Sequence, residues 1–212
     1  MKTMTVILAA GDFPRKDGTA WRLLAAAKRI VACDSAADAY RRRFRKWPDV
    51  VVGDFDSTVL SASSRTGAAL EGTSSTEFVR FTDQDTNDLE KAMAYCAKQG
   101  WRNPIIVGAT GKREDHAIGN VFRALDYGCE IVTDRGRFVP VCGKASFKVA
   151  KGLAVSIFAP DPKTRMTSNG LEWPLDDVKF KNLYCATLNR TTATRVSLTA
   201  THPVYVYFAE RK

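Results

Sequence analysis

The feature that most constrains this chain is a change of grammar near residue 136. Before it, short apolar runs alternate with amphipathic stretches. "TVILAA" reads as a strand, Thr19–Ala27 as a helix, "RIVAC" as a strand and Ala36–Phe44 as a helix. "DVVV" makes a third strand, Asp85–Gln99 a long helix with Leu89, Met93 and Ala97 on one face, and "NPIIVGA" a fourth strand. Ala117–Asp126 and "EIVTD" complete the series. Such alternation predicts an α/β domain built on a doubly wound parallel sheet, which binds ligands beyond the carboxyl ends of its strands.

After residue 136 helical periodicity is lost. "RFVPV", "SFKVA", "LAVSIFA", "TRMTS", "TRVSLTA" and "PVYVYFA" are short β-rich runs between turn residues, the pattern of a small all-β sandwich. The expected division is an α/β domain over 1–138 and a sandwich over 139–212. "LSASSRTGAALEGTSST", Leu60–Thr76, is small and polar and reads as a loop.

Three valines before Gly53 make a buried strand, and "GDFDST" follows it. If the strand continued, Asp54 and Asp56 would point the same way. Two adjacent carboxylates call for a divalent metal, an arginine or a shared proton. In "DQDTNDLEKA", Asp83, Asp85 and Asp88 crowd a helix start, with Lys91 following. The helix dipole favours acids there, but three in six residues exceed what capping needs. In "VGATGKREDHAIGN", Gly108 and Gly111 permit a tight loop before a helix N-terminus that favours anions. Lys112 and Arg113 add positive charge, and Asp115 and His116 open the helix. "ACDSAAD" puts Asp34 after the second strand. Each turn has a bland structural explanation. Their common position after strands of one sheet favours a magnesium-nucleotide site.

The net charge of +9 fits an anionic partner, and "RRRFRK", Arg41–Lys46, reads as a solvated helix face. The five cysteines lack metal or redox spacing and read as reduced thiols in a cytoplasmic protein. The apolar run in "MKTMTVILAAG" is too short for a secretion signal, and no segment is long enough to span a bilayer.

The motifs "PDVVVGDFDS", "DQDTNDLEKA" and "GATGKREDH", with "SNGLEWPL" more loosely, resemble the thiamine pyrophosphokinase family. The resemblance implies an ATP- and Mg2+-binding α/β domain, a thiamine-binding sandwich, and a homodimer with the site between subunits, with no nucleic acid or membrane partner. It implies transfer of a diphosphate from ATP to the thiamine hydroxyl, giving thiamine diphosphate and AMP. By position, Asp54, Asp56 and Asp88 are the magnesium carboxylates. Asp115 and Arg113 are catalytic. Asp34, Gln84, Gly108, Gly111 and Lys91 contact the nucleotide, and Trp173 and Asn189 contact thiamine. The chain departs from the family in having Ser35 and Ala36 after Asp34 in place of glycines, Asn87 for a threonine and Leu188 for a serine.

Two other readings fit parts of the sequence. In a haloacid-dehalogenase-like phosphatase, Asp54 would be the nucleophile and Asp56 the acid and base, although that motif belongs on a first strand. A basic nucleic-acid-binding module would use "RRRFRK", against the repulsion of the acidic turns.

Overall fold

The computed structural model describes residues 3–55, 75–81, 83 and 85–210. Two compact units are present. The first comprises residues up to Ala124 with Val132–Asp134, and the second Leu125–Ile131 with the chain from Arg135 onward.

In the first unit, β1 (Thr5–Leu8), β2 (Arg29–Cys33), β3 (Val50–Gly53), β4 (Glu77–Arg80) and β5 (Ile105–Val107) are parallel. Their order is β4-β3-β2-β1-β5. The chain therefore steps outward from β1 to β4, then returns to β1's other side. This reversal opens a crevice between the loops after β1 and β5. Every residue of β1 and β3 is buried, as strands covered on both faces require. Helices α1 (Thr19–Ala26), α2 (Asp34–Phe44), α3 (Asp88–Lys98) and α4 (Glu114–Asp126) alternate with the strands. Strand β6 (Glu130–Thr133) is divided between the two units after Ile131.

Local chemistry moves the helix boundaries from those expected. Helix α3 begins at Asp88, not Asp85, because the Asn87 side chain accepts the Glu90 amide at 2.9 Å. Asp83 meanwhile holds the preceding turn by accepting from the Asp85 amide at 2.8 Å and from the Thr86 hydroxyl. Helix α4 starts three residues earlier than Ala117, and α2 two earlier than Ala36, each opening on acidic residues that suit the helix dipole. Strand β4, "EFVR", is not expected from periodicity. Its burial is slight, so it carries little apolar signal, and its register comes from pairing with β3. The expected Leu60–Thr76 loop falls almost wholly outside the described residues.

The second unit is antiparallel: β7 (Gly136–Lys148), β8 (Ala154–Phe158), β9 (Arg165–Asn169), β10 (Val178–Lys179), β11 (Ala186–Arg190) and β12 (Arg195–Ala209). "RFVPV" and "SFKVA" turn out to be one strand, as do "TRVSLTA" and "PVYVYFA". Strand β12 changes register against β7 between Ala200 and Val204. Before the shift its other edge pairs β9, and after it β8. One long strand thus serves both layers, bending at its irregularity. Val155, Ile157, Met166, Phe180, Val196, Leu198, Val206 and Phe208 fill the core. The expected runs missed β10 and β11, which are short or interrupted.

Candidate functional site

The ends of the parallel strands surround a cavity of about 400 Å³. Ala9, Ala10 and Gly11 line it from the loop after β1, and Cys33 and Asp54 from the ends of β2 and β3. Thr86, Asn87, Asp88 and Lys91 line it from the start of α3. Gly111, Lys112, Arg113, His116 and Asn120 complete it from the loop after β5 and from α4.

Backbone hydrogen bonds build the wall between the loops after β1 and β5. The Gly11 amide donates to the Gly108 carbonyl and the Asp12 amide to the Thr110 carbonyl, both at 2.8 Å. Lys112 Nζ donates to the Ala10 carbonyl at 2.7 Å. Gly111 has φ +83°, and a Cβ there would lie 2.1 Å from the Asp12 carboxylate. Only glycine fits so close an approach. The sequence reading missed the loop after β1; Gly11, directly after an apolar strand, was its signal.

Asp54 and Asp88 face this common cavity. Burial raises the Asp88 carboxyl above the usual range, Lys91 opposes that shift, and Asp54 adds to it. Lys91 is itself only 5 % exposed, with Nζ 3.7 Å from Asp88 Oδ1. Lys91 thus sets a buried positive charge beside a half-buried acid. Phe55, directly after Asp54, has φ +63° and so departs from strand geometry. Asp56 and Gln84 lie outside the described residues. Among the described residues no three His, Cys, Asp or Glu side chains are grouped to hold a metal.

Other expected residues lie near the cavity but not on its wall. Asp34 is 2 % exposed and packs behind Gly53, where any Cβ would come within 2.5 Å of its own. Gly108 shapes the loop without lining the cavity. Of the three acids near α3, Asp83 is used in its turn and Asp85 is exposed, leaving Asp88 on the wall. Asp115 is exposed and forms a two-pronged pair with Arg113, at 3.1 and 2.6 Å. The guanidinium holds its carboxyl down at about 2.

In the second unit, Trp173 is 58 % exposed. Asn189 is buried, and its amide grips the Trp173 backbone from both sides. Oδ1 accepts the Trp173 amide at 3.2 Å, and Nδ2 donates to the Trp173 carbonyl at 2.8 Å. Oδ1 also accepts the Arg190 amide at 2.8 Å. A register shift in β11 and the left-handed Leu188, φ +62°, turn Asn189 inward and leave Leu188 85 % exposed.

Two arginines of the "RRRFRK" run lie over aromatic rings, Arg41 over Trp47 and Arg43 over Phe13. None of the five cysteines forms a disulfide, and Cys33, Cys96 and Cys129 are buried. Among the described residues, no helix is long and apolar enough to cross a membrane.

The profile of the thiamin pyrophosphokinase catalytic domain matches residues 20–132, and that of the family's substrate-binding domain matches residues 136–207. Thiamin pyrophosphokinase 1 of Caenorhabditis elegans is 24% identical over 191 residues, covering 81% of this chain and 75% of that protein. A Lactobacillus plantarum protein of known structure superposes with a TM-score of 0.79 at 19% identity, covering 99% of each chain. The thiamin pyrophosphokinase of Candida albicans superposes at 0.75 and 13% identity, covering 99% of this chain and 90% of that one. With two domain profiles matched in order across most of its length, the chain belongs to the thiamin pyrophosphokinase family.

Proposed function

We propose that the cavity of the α/β unit cradles ATP and that the chain is a thiamine diphosphokinase, moving a diphosphate from ATP to the thiamine hydroxyl with release of AMP. In this reading residues 1–138 bind ATP and magnesium, and 139–212 bind thiamine. The observation that carries it is the convergence of Asp54, Asp88, Lys91, Gly111 and Arg113, from three turns after strands, on one cavity at the sheet's reversal.

The donor set suits magnesium. Asp54 and Asp88 offer hard oxygens, and the unfavourable influence of Asp54 on Asp88 marks negative charge that a cation would relieve. These two, with Asp56, would hold the ion, whose chemistry is to neutralise the polyphosphate and fix its oxygens. Phosphoryl-type transfer asks the protein mainly for position and charge neutralisation. Lys91 supplies a buried cation, and Arg113 one at the mouth, for the charge that develops on the transferred group. Asp115, strongly ionised beside Arg113, orients that guanidinium and is a poor proton acceptor. The amides opening α4 favour the same anion.

In the second unit, Trp173 offers an exposed face for the thiamine rings, a contact worth about 0.5–2 kcal/mol for a cationic ring. Asn189 acts by holding that residue's backbone. A homodimer would pair the cradle of one protomer with the platform of its partner.

The decisive assay mixes protein, ATP, magnesium and thiamine and separates the nucleotides. AMP, stoichiometric with thiamine diphosphate, is expected, and a chelator should stop it until magnesium is restored. ADP as the product, or phosphate release without an acceptor, would overturn the assignment.

A further inference from the structure

We infer that Asn87 and Asn120 form a clasp that fixes the acidic side of the cavity against its glycine-rich side, and that both are positioning residues for the nucleotide. Asn87 Nδ2 donates to Asn120 Oδ1 at 3.1 Å. Asn120 Nδ2 in turn donates to the carbonyl of Ala109, in the loop after β5, at 3.2 Å.

The direction of each amide is dictated by a backbone group. The Glu90 amide, at the open start of α3, needs an acceptor and takes Asn87 Oδ1 at 2.9 Å. The Ala109 carbonyl takes the Asn120 amino group. What remains, an amino group on Asn87 and an oxygen on Asn120, is complementary. The link continues one turn along both helices, where Arg123 Nε lies 3.1 Å from Glu90 Oε2.

The clasp joins two pieces of chain that no strand pairing joins. Asp88 and Lys91 ride on the first turn of α3, beside Asn87. Gly111, Lys112 and Arg113 follow Ala109 after one residue, Thr110. Asn87, Ala109 and Asn120 all line the cavity. Slackening the clasp changes the separation of Asp88 and Lys91 from the glycine-rich loop, the distance on which in-line transfer depends. A serine at 87 can still cap α3 but is too short to keep the second bond, so the two roles of Asn87 are separable by substitution.

This inference rests on the reading of the cavity as an ATP cradle. Its test compares N87S, N120S and the double variant with the unaltered protein, by calorimetric binding of magnesium-ATP and by steady-state kinetics. In N87S the capping role survives, so the melting temperature should stay at the wild-type value. The kcat/KM for ATP should fall about tenfold while the KM for thiamine is unchanged. N120S should show the same loss, and the double variant no more than either alone. Wild-type ATP binding and kcat/KM in N87S would overturn the clasp, as would losses that multiply to about a hundredfold in the double variant. A wild-type protein that binds magnesium-ATP but makes no AMP would overturn the thiamine reading instead. The clasp would then stand or fall on the calorimetry: weaker binding in N87S supports it, and unchanged binding defeats it.

Discussion

The two units present their proposed binding residues in opposite ways. The α/β unit gathers charged groups from turns far apart in sequence and half-buries them, so that Lys91 at 5 % exposure faces Asp88 in a sheltered wall. The antiparallel unit presents a bare ring, Trp173 at 58 % exposure, held from beneath by a buried amide. The contrast suits the chemistry proposed for each. Electrostatic work strengthens as water is excluded, whereas stacking needs an uncovered face. Parallel strands align their carboxyl ends, so several turns meet at one place. Antiparallel strands alternate direction and bring fewer turns together, so one irregular strand, β11, does the positioning.

Breaking the charged side should have the larger effect. D54N removes an acid from the wall, and kcat/KM for ATP should drop on the order of a thousandfold with circular dichroism unchanged. Near-normal turnover would show that the acids are structural. Mixing D54N with W173A then joins the two units: if each site combines the cradle of one protomer with the platform of its partner, subunit exchange, assayed at thiamine far below KM, should raise activity from about one-twentieth to about a quarter of wild type. No recovery after exchange would rule out a shared site.

Breaking the aromatic side is milder. W173A should raise the KM for thiamine about tenfold, with ATP binding unaltered. N189A should do the same alone but add nothing in the W173A background, as expected of a residue that acts through Trp173. Additive losses in that cycle would instead make Asn189 a direct thiamine contact. The smallest effect is expected at Leu188. L188G relieves a left-handed backbone and should raise stability by up to about 1 kcal/mol, read as a modest rise in melting temperature. A fall would mean that the exposed leucine packs against something in solution.

Much of the α/β unit was legible in the sequence because its strands are buried on both faces and leave unbroken apolar runs, as in Val50–Val52. Strand β4, with little buried surface, left no such trace. In the second unit, the continuity of β7 and β12 was hidden because turn-like residues such as Gly143 and the Thr201–Pro203 stretch sit inside long strands, where pairing partners decide whether the chain turns or runs on.

From residues alone came the alternating α/β order, the acidic and glycine-rich turns and their placement after strands, since these depend on side-chain type and local period. Only the folded chain decided that Asp88 among its neighbours faces the cavity, that the loop after β1 completes the wall, that Asn189 points inward beneath Trp173, and that Asn87 reaches Asn120. Each of these is set by a hydrogen bond or a cap joining residues whose partner is chosen by strand order, and strand order is not written in any local stretch of sequence.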